Sequence, residues 1–91
     1  MEIYTFIMDY LGGTYISQVE AINKEQARDI WIKELEVKEI KSFTIQDQEE
    51  ILKHGFSDED ITHLKGVKSV WFFMVNTKKG NGYVNIVKTK L

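Results

Sequence analysis

The residues best suited to chemistry in this chain are carboxylates. Asp47, Glu49, Glu50, Asp58, Glu59 and Asp60 place six acids within fourteen residues, with Lys53 the only lysine or arginine among them. Paired carboxylates can perform acid–base work, as in glycoside hydrolysis. An acidic face can also steer and orient a basic partner. Most of these acids fall where helices should begin, where carboxylates cap free N–H groups and complement the helix dipole. Capping accounts for Asp47 and for Asp58 to Asp60 one at a time, but six acids exceed what two helix starts require. They are the candidate partner-binding residues, expected on an exposed negative face. No catalytic residue is assigned.

Other chemistries lack the residues they need. His54 and His63 are nine positions apart on different expected helices, and no metal-ligand motif surrounds them, although Glu59 precedes His63 by four. The chain has no cysteine, which removes disulfides, a thiolate nucleophile and cysteine-bound zinc. No metal and no cofactor is expected. Gly12-Gly13 belongs to a hairpin rather than to the start of a helix, so it does not cradle phosphate. Trp71, Phe72, Phe73 and Tyr83, followed by lysines, resemble a stacking platform for single strands. They form a largely contiguous apolar strand, however, and the chain has one arginine, Arg28, and a net charge of −2. Both argue against specific nucleic-acid recognition. The expectation is a binding protein rather than an enzyme.

These residues need a scaffold, and 91 residues with 43% hydrophobic and 29% charged content suit one domain spanning 1–91. The net charge conceals a division: the balance is −8 up to Asp60 and +6 from Ile61 onward. The longest apolar runs, Phe6-Ile7-Met8 and Val70 to Val75, fall far short of the ~20 residues that span a bilayer. The opening Met1-Glu2-Ile3-Tyr4 lacks the basic region of a signal peptide. With no cysteine, this points to a cytoplasmic protein.

Alternation over residues 2–22 predicts a hairpin. Tyr4, Phe6, Met8 and Tyr10 share one face, and Gly12-Gly13 supplies the left-handed pair of a two-residue turn. That turn sets Tyr10 opposite Tyr15, Met8 opposite Ser17, Phe6 opposite Val19 and Tyr4 opposite Ala21. Helical spacing predicts a helix over 24–36, with Asn23 as N-cap, Gln26 completing a capping box, and Ala27, Ile30, Trp31 and Leu35 inward. Arg28 belongs with the outward charges. Residues 37–45 are ambiguous: Lys41, Phe43 and Ile45 alternate with Ile40, Ser42 and Thr44, a pattern compatible with a short extended segment. A second helix runs from about Gln46 to His54, closed by Gly55 with Phe56 sealing its end. Ser57 to Asp60 then open a third short helix, with Ile61 and Leu64 inward and Gly66 ending it. Residues 69–76 and 82–89 form a second hairpin whose turn is marked by Asn81-Gly82. Val70 to Val75 is apolar on both faces, as in a strand covered on both sides. The fold class is α+β in the order ββα, two short helices, ββ. One four-stranded antiparallel sheet should carry its helices mainly on one face, with Phe6, Val19, Trp31 and Phe72 or Phe73 buried together.

The segment from Tyr4 to Gln18, followed by a helix carrying Ala27 and Trp31, resembles small bacterial proteins of the immunity class, which are encoded beside polymorphic toxins. The resemblance covers about the first third of the chain and implies a cytoplasmic protein that binds and blocks one toxin. The same strand–turn–strand–helix order is similar to HicB-type antitoxins, which carry a proline-bearing stretch after the second strand; here Ala21-Ile22-Asn23 runs directly into the helix, without proline. The expected partner is another protein, a basic effector or toxin met by the acidic helices, with a homodimer as a further possibility.

Overall fold

The computed structural model describes residues 1–54 and 61–89. Strand β1 (Glu2–Tyr10) turns into β2 (Gly13–Ala21), followed by helix α1 (Lys24–Glu34), a 3-10 turn (Val37–Glu39) and helix α2 (Ile45–His54). Strand β3 (Thr62–His63) precedes a second hairpin of β4 (Val70–Thr77) and β5 (Gly80–Thr89). The fold is α+β, with one antiparallel sheet ordered β2-β1-β5-β4-β3. The two hairpins meet through β1 and β5, the first and last strands of the chain.

The sheet has five strands rather than four. The extra one is β3, in the segment where Ile61 to Gly66 were expected to continue a third helix. Thr62 and His63 instead pair with Phe72 and Trp71 of β4, and the His63 ring lies 5.6 Å from that of Trp71. Gly66, at φ +82°, belongs to the turn between β3 and β4 rather than to a helix end. The backbone donors that β4 offers along its edge outweigh the local helical signal. The expected cap at Gly55, the seal at Phe56 and the helix start at Ser57 to Asp60 lie outside the described residues.

The first hairpin turns one residue earlier than expected. Leu11 and Gly12 both take positive φ, 45° and 85°, and Tyr10 pairs with Gly13, Met8 with Tyr15, Phe6 with Ser17 and Tyr4 with Val19. Each predicted pair has slipped by two, so every side chain keeps its face. In the second hairpin the turn is Lys78-Lys79, and Asn81-Gly82 lies inside β5. Packing explains the glycine: a Cβ on Gly82 would meet Val75 Cγ2 at 2.6 Å and Met8 Sδ at 3.1 Å.

One sheet face carries the core. Tyr4, Phe6, Met8 and Tyr10 of β1, Val84 and Ile86 of β5, and Phe73 and Val75 of β4 are all buried in one cluster with Ala27, Trp31 and Ile32 of α1 and with Ile40 and Phe43. Trp31 stacks on Phe6 at 5.2 Å and meets Phe73 edge-on at 5.6 Å, so one helical side chain joins both hairpins. The α1 stripe differs from expectation at two positions. Ile32 is buried, and so is Arg28, whose guanidinium carbon stands 5.8 Å from the Phe73 ring. Arg28 is buried whole, its guanidinium over the Phe73 ring in a cation–π contact, so its charge did not keep it outward. Residues 37–45 are not extended: the 3-10 turn is followed by Ser42 at φ 65°, which carries Ile40 and Phe43 into the core.

The opposite sheet face has no helix on it among the described residues. Met74 and Tyr83 are exposed there and Phe72 is half-buried, stacked on Tyr83 at 6.4 Å. The apolar run of β4 is thus covered on one face only. No helix of the described residues is long and apolar enough to cross a membrane.

Candidate functional site

Helix α2 positions the acids that the sequence singles out, and it divides them. Asp47 completes a capping box: its carboxylate accepts from Thr44 N–H at 2.9 Å, and its own N–H donates to Thr44 Oγ1 at 3.1 Å. Glu50 lies 3.2 Å from His54 Nε2, one helical turn on. Glu49 is exposed and enters no ion pair among the described residues. Asp58, Glu59 and Asp60 lie outside the described residues. Of the six, the described acids are Asp47, Glu49 and Glu50 of α2, and Asp47 is occupied by a structural role.

A second group of acids lies where the sequence reading did not look. Glu34 ends α1, Glu36 precedes the 3-10 turn and Glu39 is the last residue of that turn. All three are exposed and line a groove of about 360 Å³ between β2 and the C-terminal end of α1. Met8, Trp31, Leu35 and Ile40 give the groove an apolar wall. Tyr15 braces it, its hydroxyl accepting from Lys41 N–H at 3.2 Å.

Two features make this groove electrostatically distinctive. The C-terminal end of a helix carries partial negative charge, so acids there work against the dipole and cations are favoured. The ion pairs of the described residues are Lys24–Glu25, Glu50–His54 and Glu2–Lys88, none involving Glu34, Glu36 or Glu39. Gln48 of α2 caps the same helix end, its amide donating to Ile32 O at 2.7 Å and approaching Lys33 O and Leu35 O at 3.3 Å. The end of α1 is thus met by the Gln48 amide and by Lys33 in its last turn, while three carboxylates stand around the opening.

No protein-family model, curated protein or solved structure matches the chain. The site must be read from its own chemistry.

Shifted titrations lie away from the groove. Burial, together with the charge of Glu2, pushes the Tyr4 hydroxyl above the ordinary tyrosine range. A hydrogen bond from Lys24 holds the Glu25 carboxyl below the ordinary carboxylate range. Among the described residues no three histidines or acids gather where they could hold a metal ion. The groove offers apolar contact, negative charge and, along β2, a strand edge. In the sequence the signal was three acids, at 34, 36 and 39, straddling the end of a helix and not a helix start.

Proposed function

We propose that this chain is a non-catalytic protein-binding domain of the immunity type, which engages a basic protein partner at the groove between β2 and the end of α1. One observation carries the reading: Glu34, Glu36 and Glu39 surround an apolar-walled opening at a helix end that disfavours acids. Acids at that end that enter none of the ion pairs Lys24–Glu25, Glu50–His54 and Glu2–Lys88 cost stability. A basic side chain supplied by a partner would remove that cost. The strand–turn–strand–helix opening supports the immunity-type assignment by resemblance. Glu49 and Glu50 of α2 serve this reading as outer charges that speed encounter.

The test is capture of a partner from the source cell, or of the neighbouring gene's product, using three forms of the protein. These are wild type, a Glu34→Lys/Glu36→Lys/Glu39→Lys variant, and a Glu49→Lys/Glu50→Lys variant. Surface changes of this kind usually stay within about 0.5 kcal/mol each, so thermal melts should show all three folded. Reversal at the groove should weaken capture about tenfold or more, and reversal on α2 should chiefly slow association. A partner bound equally well by wild type and the groove variant removes the reading.

A further inference from the structure

The groove runs along a strand edge. Thr14, Tyr15, Ile16, Ser17, Gln18 and Val19 all line it, although consecutive side chains of a strand point to opposite faces. An unbroken run of six residues can border one opening only where the opening follows the backbone edge. Side chains on the far face are already engaged there: Thr14 Oγ1 donates to Asp9 at 2.7 Å, and Gln18 Nε2 donates to Thr5 Oγ1 at 3.0 Å.

The backbone of that edge is available. The two-residue turn makes Tyr10 and Gly13 a hydrogen-bonded pair, and an antiparallel ladder alternates from there. The N–H and C=O groups of Thr14, Ile16, Gln18 and Glu20 therefore point away from β1. None of them has a backbone partner among the described residues. Proteins usually blunt such an edge with proline, a bulge or charge. Here β2 is nine residues long, has no proline and keeps continuous register with β1, and its one charged residue is Glu20.

We infer that β2 accepts an added strand: an extended segment of a partner protein, pairing with Thr14, Ile16, Gln18 and Glu20 and pointing an apolar and a basic side chain, two residues apart, into the groove. Backbone bonds give such a complex its affinity and the alternate side chains give its specificity. The apolar residue meets the wall of Met8, Trp31, Leu35 and Ile40. The basic residue carries its charge to Glu34, Glu36 and Glu39. A second copy of this chain pairing edge to edge is a worse occupant, because it would bring a second set of the same acids to the same opening.

This inference rests on the groove being the binding site, and the experiment separates the two. The probe is a displayed library of short extended peptides with lysine or arginine at one position, leucine two residues away, and the remaining positions randomised. Selected peptides are measured by fluorescence anisotropy against wild type, Gln18→Pro and the Glu34→Lys/Glu36→Lys/Glu39→Lys variant. The Gln18 N–H faces outward, so proline there removes a docking donor and leaves the ladder to β1 intact. Gln18→Pro should weaken binding about tenfold, as should N-methylation of the peptide backbone, the size expected for lost hydrogen bonds. Amide exchange at Ile16 and Gln18 should slow when the peptide binds. Peptides that depend on the three glutamates but ignore Gln18→Pro and N-methylation would overturn strand addition and leave the binding site standing. A library yielding no binder, or a wild-type dimer in sedimentation that Gln18→Pro abolishes, would also overturn it.

Discussion

The two hairpins are built from the same pattern and end differently. In each, one strand reaches the middle of the sheet, β1 or β5, and the other lies outside it, β2 or β4. Strand β4 is joined on its outer side by β3, whereas β2 has no neighbour there among the described residues. Their turns differ as well. The first is local: Leu11 and Gly12 both adopt the left-handed region that a two-residue hairpin turn requires. The second is closed by side-chain bonds, some local and some distant: Thr77 Oγ1 donates to Gly80 O at 3.1 Å and accepts from Lys79 N–H at 3.3 Å. Thr77 Oγ1 lies 2.6 Å from Tyr10 Oη, which in turn donates to Ser42 O at 2.9 Å, and neither Lys78 nor Lys79 has positive φ. Backbone angles thus close the first turn, whereas Thr77 closes the second with both local bonds and a bond to a distant residue. The hairpin whose turn closes on backbone angles is the one whose outer strand has no neighbour among the described residues.

The most damaging way to break this arrangement is to remove what both hairpins share. Trp31 is buried, stacked on Phe6 of β1 and edge-on to Phe73 of β4. Trp31→Ala should cost about 3–5 kcal/mol, the usual range for a large aromatic, read as a shift in the urea midpoint. A loss below about 1 kcal/mol would contradict the position of Trp31 as the joint between them.

A smaller effect separates packing from turn chemistry in the second hairpin. Gly82→Ala forces a Cβ against Val75 and Met8 and should cost about 1–3 kcal/mol, as overpacking does. Asn81 is exposed within β5, and Asn81→Ala should change stability by no more than about 0.5 kcal/mol. If Asn81-Gly82 formed the turn, the asparagine would matter as much as the glycine. Equal losses in the two variants would therefore refute the observed register.

What was legible in the sequence follows the same division. The first hairpin's faces, α1 with its Asn23 cap, α2 to within one residue and the Phe6–Val19–Trp31–Phe73 core all rest on local periodicity and capping. The errors fall where distant residues decide. Asn81-Gly82 looks like a turn because nothing nearby reveals that Met8 and Val75 leave no space for a side chain. Thr62-His63 looks helical because the β4 edge that recruits it lies beyond the next turn. Arg28 reads as surface because its charge dominates a sequence pattern, and the Phe73 ring that receives its guanidinium is distant in the chain. At the site, the acids of a helix start were conspicuous but Asp47 is explained by capping, whereas Glu34, Glu36 and Glu39 gain meaning only once β2 is placed beside them.

The finest distinction between the two hairpins lies in the turns themselves. Leu11 sits at φ 45° with its side chain 47% exposed, and a non-glycine residue in the left-handed region costs roughly 1–2 kcal/mol unless it is asparagine or aspartate. Leu11→Asn should therefore stabilise the protein. The gain is reduced because Leu11 Cδ2 covers Gly80, close enough that a Cβ there would meet it at 2.7 Å. A net gain of about 0.5–1 kcal/mol is expected, within the range found when a backbone position receives a residue suited to it. The matching change in the other turn has the opposite sign. Neither Lys78 nor Lys79 needs the freedom of glycine, so Lys79→Gly adds only unfolded-chain entropy and should lose about 0.5–1 kcal/mol. Paired chemical melts of the two variants decide the matter. A stabilised Lys79→Gly, or a Leu11→Asn that destabilises, would mean that the two turns do not differ in the way their backbone angles indicate.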